Sequence, residues 1–364
     1  MNYNKYDQIK LLVFDNRSHA HTYMYKEALL KLGNSVSFLD HASRLAQLNP
    51  FNECFNHVNS KNINSILLVT LDGNIGLSLF FWLFRISLVR PSVKIYTNLF
   101  AYHILHKLSL RAFFFFVLLV FFPGLIVFVS DPYLEARYYY PFFKKRIYYA
   151  PNFCLDREIL SAANLKRIVL PFDVPNDQSL IINVMGGLNA KKLINELALC
   201  LNKIYSTQDH DIFLFVFAGS VKDSLAESTI LTLEKLHRLG KIIFYPHFLD
   251  DQHFYKLLSL SYSSWCVQGS FNASSGVFTR SCHYGVPPIT STVSTLGRLC
   301  TSKQLGYTVD TGNLHDSLPH VFNQMLSQNR HLAKSMNCRR FSLCSDESRY
   351  REAFLKPFRS SFYY

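Results

Sequence analysis

The sequence has no Cys-x-x-Cys pair, no long block of Lys or Arg, and only 27 Gly and Pro residues, which follow no period. Each absence excludes something. The eight cysteines (Cys54, Cys154, Cys200, Cys266, Cys282, Cys300, Cys338 and Cys344) lack regular spacing. They therefore read as reduced, mostly buried thiols of a cytosolic protein rather than a disulfide frame or a zinc site. The unperiodic Gly and Pro rule out collagen-like and low-complexity chains. Zinc-finger spacing, an RNA-recognition aromatic motif and a basic zipper are all missing, so no nucleic-acid partner is expected. Charged residues make up only 17% against 49% hydrophobic ones, which leaves no compositional case for disorder. The first fifteen residues hold an apolar run of four, LLVF. That is too short for a signal peptide and suits a first buried strand, so a cytoplasmic location is expected.

What is there points to a large, apolar, basic protein. A chain of 364 residues has room for two domains. Aromatics reach 15%, with 32 Phe and 21 Tyr, and the formal charge is +13. Up to residue 175 there are 19 basic and 11 acidic side chains, so the first half is the more basic. This bias suits an anionic partner such as a nucleotide or the acidic face of a membrane.

From Ala112 to Val129 no charged or polar side chain interrupts AFFFFVLLVFFPGLIVFV, a length that raises the question of a membrane span. Pro123-Gly124 splits the run and reads as a turn. The first reading is a buried helix entering a buried parallel strand. The second is a Phe-rich helix leaning with Arg111 on a bilayer, and a full span is the third.

Short apolar runs alternate with helical stretches along the whole chain. Strands are predicted at 9–15, 35–40, 63–73, 93–100, 125–130 and 146–152, with a helix over 21–33 stopped by Gly33. After Pro171, Pro175 and Asn176 the pattern restarts. Strands at 179–187, 211–220 and 241–248, at YSSWCVQ, PPITS and GYTVD, are separated by helices over 191–205, near 224–239, near 250–261 and at VFTRSCHYG. Near-continuous apolar strands spaced by helices indicate parallel sheets covered on both faces. The expected fold is α/β: a Rossmann-like domain over 1–170 and a second over 171–330, with a cleft between them. The tail, 330–364, is expected to cross back onto the first. Ligands in such sheets bind beyond the carboxyl ends of the strands.

The second half resembles the nucleotide-binding domain of group 1 GT-B glycosyltransferases, the type found in bacterial surface-polysaccharide synthesis. VMGGLNAKKL (184–193) is similar to that family's Gly-Arg-Leu…Lys-Gly loop, and FVFAGS (215–220) to its second strand. FYPHFLDDQHFYKLL (244–258) resembles the loop that contacts the nucleobase. FNASSGVFTRSCHYGVPPITS (271–291) resembles its E-x7-E block, ending in Gly-x-Pro-x-Ile. In the first half, SHAHTYMYKEALLKLGNSVSFLD occupies the place of the first loop and helix, VSDPYLEARYYY that of the helix near the hinge, and RIYYAPNF that of a strand end. The resemblance implies a GT-B architecture with two parallel sheets facing across a cleft. It also implies a nucleotide-sugar substrate, no further cofactor, and no metal, because such enzymes neutralise the diphosphate with a helix dipole and basic side chains.

Residue by residue, Gly186 and Gly187 after a strand let backbone approach a ligand. Lys192 follows Gly187 by five residues, as the family's loop Lys follows its Arg, and would neutralise the leaving diphosphate. Ser274, Ser275 and Gly276 open a helix whose free amides suit a diphosphate, or serve as an ordinary N-cap. His247 would contact the nucleobase. The two motif glutamates fall at Asn272 and Arg280. Asn272 can still bond sugar hydroxyls, whereas a guanidinium has no acceptor for a ribose. Arg280 is therefore expected to supply the guanidinium that the family's loop Arg, here Gly187, would have provided.

In the first half Asp72 ends a predicted strand and is followed by Gly73-Asn74-Ile75-Gly76. It is either a base for an acceptor hydroxyl or an Asp-Gly turn residue. His19 and His21 lie on the loop that borders the acceptor in the family, and the family's cleft His is replaced near Asn98. The expected function is transfer of a sugar to a lipid-linked glycan by an enzyme held peripherally at the inner face of the membrane. A non-catalytic GT-B scaffold and a sugar-nucleotide epimerase are the rivals.

Overall fold

The computed structural model describes residues 11–14, 28–29, 36–39, 65–68, 77–89, 92–99, 110–154, 161–174, 179–207, 212–269 and 275–360. The chain divides into two compact units, 1–155 with 346–364, and 156–345.

The first unit holds β1 (Leu11–Phe14), β2 (Val36–Leu39), β3 (Ser65–Leu68), α1 (Leu77–Val89), β4 (Lys94–Leu99), α2 (Leu110–Phe121), β5 (Leu125–Val129) and β6 (Ile147–Tyr149). All strand pairs are parallel, in the order β2-β1-β3-β4-β5-β6. The period-two alternation of a strand sorts the core. Leu125, Val127 and Val129 face α1 and α2 with Ile95, Leu99 and Phe115. Ile126 and Phe128 face the opposite layer with Tyr96, Ala28, Leu29 and Phe354. The Pro123-Gly124 turn does split the apolar run, with Leu125 N–H bonding the Phe122 carbonyl at 2.9 Å. The helix before it is buried on one side only, because Leu110, Phe113, Val120 and Phe121 are exposed. No helix among the described residues is long and apolar enough to cross a membrane.

The second unit contains α3 (Ala162–Arg167), β7 (Leu180–Met185), α4 (Ile194–Thr207), β8 (Phe213–Ala218), α5 (Glu227–Arg238), β9 (Ile242–Tyr245), α6 (Asp251–Leu260) and β10 (Ser263–Trp265). It continues with α7 (Gly276–Tyr284), β11 (Pro288–Ser291), α8 (Thr295–Ser302), β12 (Tyr307–Val309), α9 (Leu314–Met325) and α10 (Gln328–Ser342). Its sheet is also parallel, in the order β12-β11-β10-β7-β8-β9. Phe213, Phe215 and Phe217 pack toward α4 and α9, and Leu214, Val216 and Ala218 toward α6. Counted from β7, the order is that of a dinucleotide-binding sheet, with a reversal between β7 and β10.

The division between units runs at 155/156, earlier than the prolines at 171 and 175, because Leu170, Phe172 and Val174 pack in the core of the second unit. The tail also returns later than residue 330. Helix α10 stays with the second unit, where Cys338 is fully buried and its Sγ lies 2.9 Å from the Leu305 carbonyl. The chain rejoins the first unit at Asp346, which forms a parallel bridge with Cys154. The C-terminal helix (Glu347–Ser360) then buries Tyr350, Ala353 and Phe354 against Tyr96 and Phe128. Cys200, Cys266, Cys282, Cys300 and Cys338 are buried free thiols, Cys154 is buried as well, and Cys344 is an exposed thiol.

Candidate active site

Strand order in the second unit reverses between β7 and β10, and in such sheets ligands bind beyond the carboxyl ends of the strands at that point. Gly186 follows β7 with φ +87°, and Gly219 follows β8 with φ +154°. These two glycines meet backbone to backbone. A Cβ added to Gly219 would lie 1.8 Å from the Gly186 carbonyl oxygen. Beyond them the two chains stay paired, Leu188 N–H bonding the Ser220 carbonyl at 2.9 Å and Lys222 N–H the Leu188 carbonyl at 3.0 Å. Gly187 is held by the Asn189 side-chain amide, which donates to its carbonyl at 3.2 Å.

The loop then makes a 3-10 turn over Ala190–Lys192 and a left-handed residue, Leu193 (φ +55°), before α4 begins. On its other side it is strapped to the end of β10. The Trp265 indole N–H donates to the Lys192 carbonyl at 3.0 Å, and Gly269 N–H donates to the Lys191 carbonyl at 3.1 Å. The Lys192 ammonium turns back under the loop and donates to the Met185 carbonyl at the end of β7. A Cβ on Gly186 would stand 3.3 Å from that Nζ. Burial pulls the Lys192 amine down to about 8, opposed by the neighbouring Cys266 thiol, which favours the charged form.

Ser275 caps α7, its Oγ accepting from Phe278 N–H at 3.2 Å, and Gly276 is the first helical residue. Because α7 follows β10, its amide end stands at the same sheet edge. Gly285 (φ +70°) ends the helix, its N–H bonding the Cys282 carbonyl at 3.0 Å. His247 lies beyond β9 at that edge, two strands from β7, exposed and edge-on to Tyr245 at 5.0 Å. Arg280 is directed at α6. Its Nε donates to the Tyr255 hydroxyl at 2.8 Å, and its guanidinium lies 5.8 Å from the Phe254 ring centroid.

The fold thus brings Gly186, Gly187 and Lys192 into one loop, with Ser275 and Gly276 at the same edge, His247 to one side, and Arg280 against α6. Asp72, His19, His21, Asn272 and Ser274 lie outside the described residues. Three participants escaped the sequence reading. In the sequence Gly219 stands only as a strand end, and Trp265 only as part of the predicted strand YSSWCVQ. Gln268, two residues past Cys266, has a buried side-chain carbonyl oxygen without a hydrogen-bond partner among the described residues. The one available signal for it was its place after a strand and before Gly269.

No protein-family profile matches the chain, and no curated protein matches it in sequence. Solved structures do match it in shape. Sucrose-phosphate synthase from Thermosynechococcus elongatus superposes with a TM-score of 0.67 at 13% identity, over 97% of this chain and 99% of that one. A glycosyltransferase from Rickettsia africae gives 0.67 at 12% identity, over 98% and 100%. HepE of Anabaena, in complex with UDP and glucose, gives 0.66 at 12% identity, over 96% and 100%. Likeness at this identity concerns the fold, and function belongs to the site. With two six-stranded parallel sheets of Rossmann type on one chain, matched end to end by these structures, the protein has the α/β GT-B fold.

Proposed function

We propose that the protein is a glycosyltransferase that moves a sugar from a nucleotide-sugar to a lipid-linked glycan in cell-surface polysaccharide synthesis. It works without a metal ion, peripherally at the inner face of a membrane. The donor part of this reading is carried by one observation: the half-buried Lys192 turns its amine back under the loop at the switch point, beside Gly186 and the end of β7.

In glycosyl transfer the bond from the sugar C1 to the diphosphate oxygen breaks and a bond from C1 to an acceptor oxygen forms. The acceptor proton passes to a base. Negative charge gathers on the leaving nucleoside diphosphate, and fixed positive groups there lower the barrier. Lys192 takes that role, with the amide end of α7 at Ser275 and Gly276 beside it. Ser274 adds a hydroxyl, Arg280 a guanidinium, and Gly186 and Gly187 a close backbone. Asn272 serves the sugar hydroxyls and His247 the nucleobase. Asp72 and His21 are the candidates for receiving the acceptor proton. The UDP and glucose held by the similar Anabaena structure support a uridine nucleotide-sugar as the first donor to try.

The test is a thermal-shift panel of UDP-, GDP-, ADP-, TDP- and CMP-sugars against wild type and Lys192→Ala. A ligand at about 100 times its dissociation constant adds roughly 2.7 kcal/mol. Stabilisation by one nucleotide class, lost in the variant, supports the donor site. No shift with any nucleotide at millimolar concentration overturns it in favour of a scaffold. Conversion of the nucleotide-sugar in the absence of acceptor identifies an epimerase instead.

A further inference from the structure

We propose that the outer face of α1 and α2 in the first unit is a docking surface for the anionic headgroup layer of a lipid bilayer. This deepens the membrane part of the reading above and rests on it, while standing apart from the donor site.

Both helices cover the same face of the sheet. Leu83 and Ile86 of α1 and Phe115, Leu118 and Leu119 of α2 share one core with Ile66, Ile95 and Val127. The opposite side of such a helix ordinarily carries charge. Here α1 presents Phe84, Leu88 and Val89, and α2 presents Leu110, Phe113, Val120 and Phe121, all 49–72% exposed. A shallow apolar groove lined by Phe113, Phe116, Val117 and Val120 runs along α2. A helical turn at Tyr140–Phe143, beyond β5, packs on α2. Phe143 stacks on Phe116 at 5.6 Å, and the Arg146 guanidinium donates to the carbonyls of Leu119 and Phe122 at the end of α2. Next to Phe143 in the same turn, Phe142 is 80% exposed.

Charge selects the occupant. Between residues 77 and 130 there are five Lys and Arg (Arg85, Arg90, Lys94, Lys107 and Arg111) and no Asp or Glu. Arg85 on α1 is exposed, as are Lys144 and Lys145 next to Phe142. A second copy of a chain with formal charge +13 would bring like charge to this face. An anionic bilayer offers both an apolar layer for the Phe side chains and negative charge for the basic rim. At twelve residues, α2 falls well short of the ~20 needed to span, so it lies along the surface.

The experiment is flotation of the full chain with vesicles of phosphatidylcholine alone and of phosphatidylcholine mixed with phosphatidylglycerol. Two variants accompany it, Phe113→Ser with Phe121→Ser, and Lys144→Glu with Lys145→Glu. The expected result is flotation with the anionic vesicles that weakens with salt and falls at least ~10-fold in each variant, with unchanged melting temperatures. Wild type and both variants floating equally would overturn this surface and leave membrane association standing. Wild type floating with neither vesicle would overturn both. Sedimentation showing a dimer that only the Phe113→Ser, Phe121→Ser variant loses, with flotation unaffected, would assign the face to a second copy and overturn the proposal.

Discussion

The Tyr350 hydroxyl donates to the Asn98 side-chain oxygen at 3.3 Å, joining the C-terminal helix to β4 across 252 positions of sequence. Asn98 stands where the resemblance to glycosyltransferases led us to look for a cleft histidine. It is buried, and a structural bond engages it. The Tyr350 ring also stacks on Phe153 at 4.6 Å. Tyr350→Ala should therefore cost about 3–5 kcal/mol by cavity formation, and Tyr350→Phe about 1 kcal/mol for the lost hydrogen bond. Urea unfolding separates the two. Equal losses in both variants would mean that the hydroxyl, not the ring, holds the helix.

Gly219→Ala tests the backbone contact under the Gly186–Leu193 loop. With φ at +154° and the Gly186 oxygen 1.8 Å from the added Cβ, it should lose at least about 2 kcal/mol of stability along with nucleotide binding. Gly240→Ala is the matched control. Its φ is +69° and nothing lies within 4 Å of its added Cβ, so it should cost only about 1 kcal/mol and leave binding intact.

If Lys192 meets the diphosphate as proposed, nucleotide affinity should depend on pH. The Lys192 amine loses charge near pH 8, and a diphosphate favours the charged form. Calorimetric affinity for the best nucleotide should fall as pH rises from 7 to 9, with proton uptake on binding near pH 8. In the free protein the sign for stability is opposite. Between about 8 and the ordinary 10.5 the unfolded chain binds more protons, so stability from this group rises with pH. Lys192→Met should remove both dependences, and a pH slope that survives the substitution would exclude Lys192 as its source.

His331 makes the second unit sensitive to acid. Its ring stacks on Tyr262 at 3.5 Å between centroids, and its Nδ1 lies 3.0 Å from the Tyr307 hydroxyl. Burial, aided by the Lys334 charge, pulls its imidazole down to about 4. Between pH 6.5 and 4 the unfolded chain takes up a proton that the folded chain refuses, so stability falls as the solution is acidified through that window. The melting temperature should drop between pH 7.5 and 5. His331→Phe should make that drop shallower at a cost of about 1 kcal/mol at neutral pH, and an unchanged slope would place the acid sensitivity elsewhere.

Arg280→Ala should lower turnover at least ~100-fold with the fold intact if the guanidinium serves the diphosphate. Tyr255→Phe, which removes only its 2.8 Å partner, should cost far less. Steady-state kinetics with whichever donor the thermal-shift panel identifies decides between this role and a packing role. Parity of the two variants would assign Arg280 to packing.

Most of the fold was legible in the sequence. All six strands of each sheet, and four of the helices between those of the second unit, fall within a few residues of the periodic stretches, because backbone pattern is set by near neighbours; α8 (Thr295–Ser302) was not among them. The Gly186–Lys192 loop and the Ser275 cap were legible for the same reason: each is a local strand-to-helix junction. What was not legible depends on residues far apart in sequence. Tertiary structure kept α10 with the second unit, set Arg280 against Tyr255, pressed Gly219 onto Gly186 and left one side of α2 exposed. The sequence by itself determined where apolar side chains repeat, and hence the strands, the helices and the parallel α/β class. Only the tertiary structure decided which way Lys192 points and how readily it holds a proton, since both follow from the surroundings that distant segments build around it.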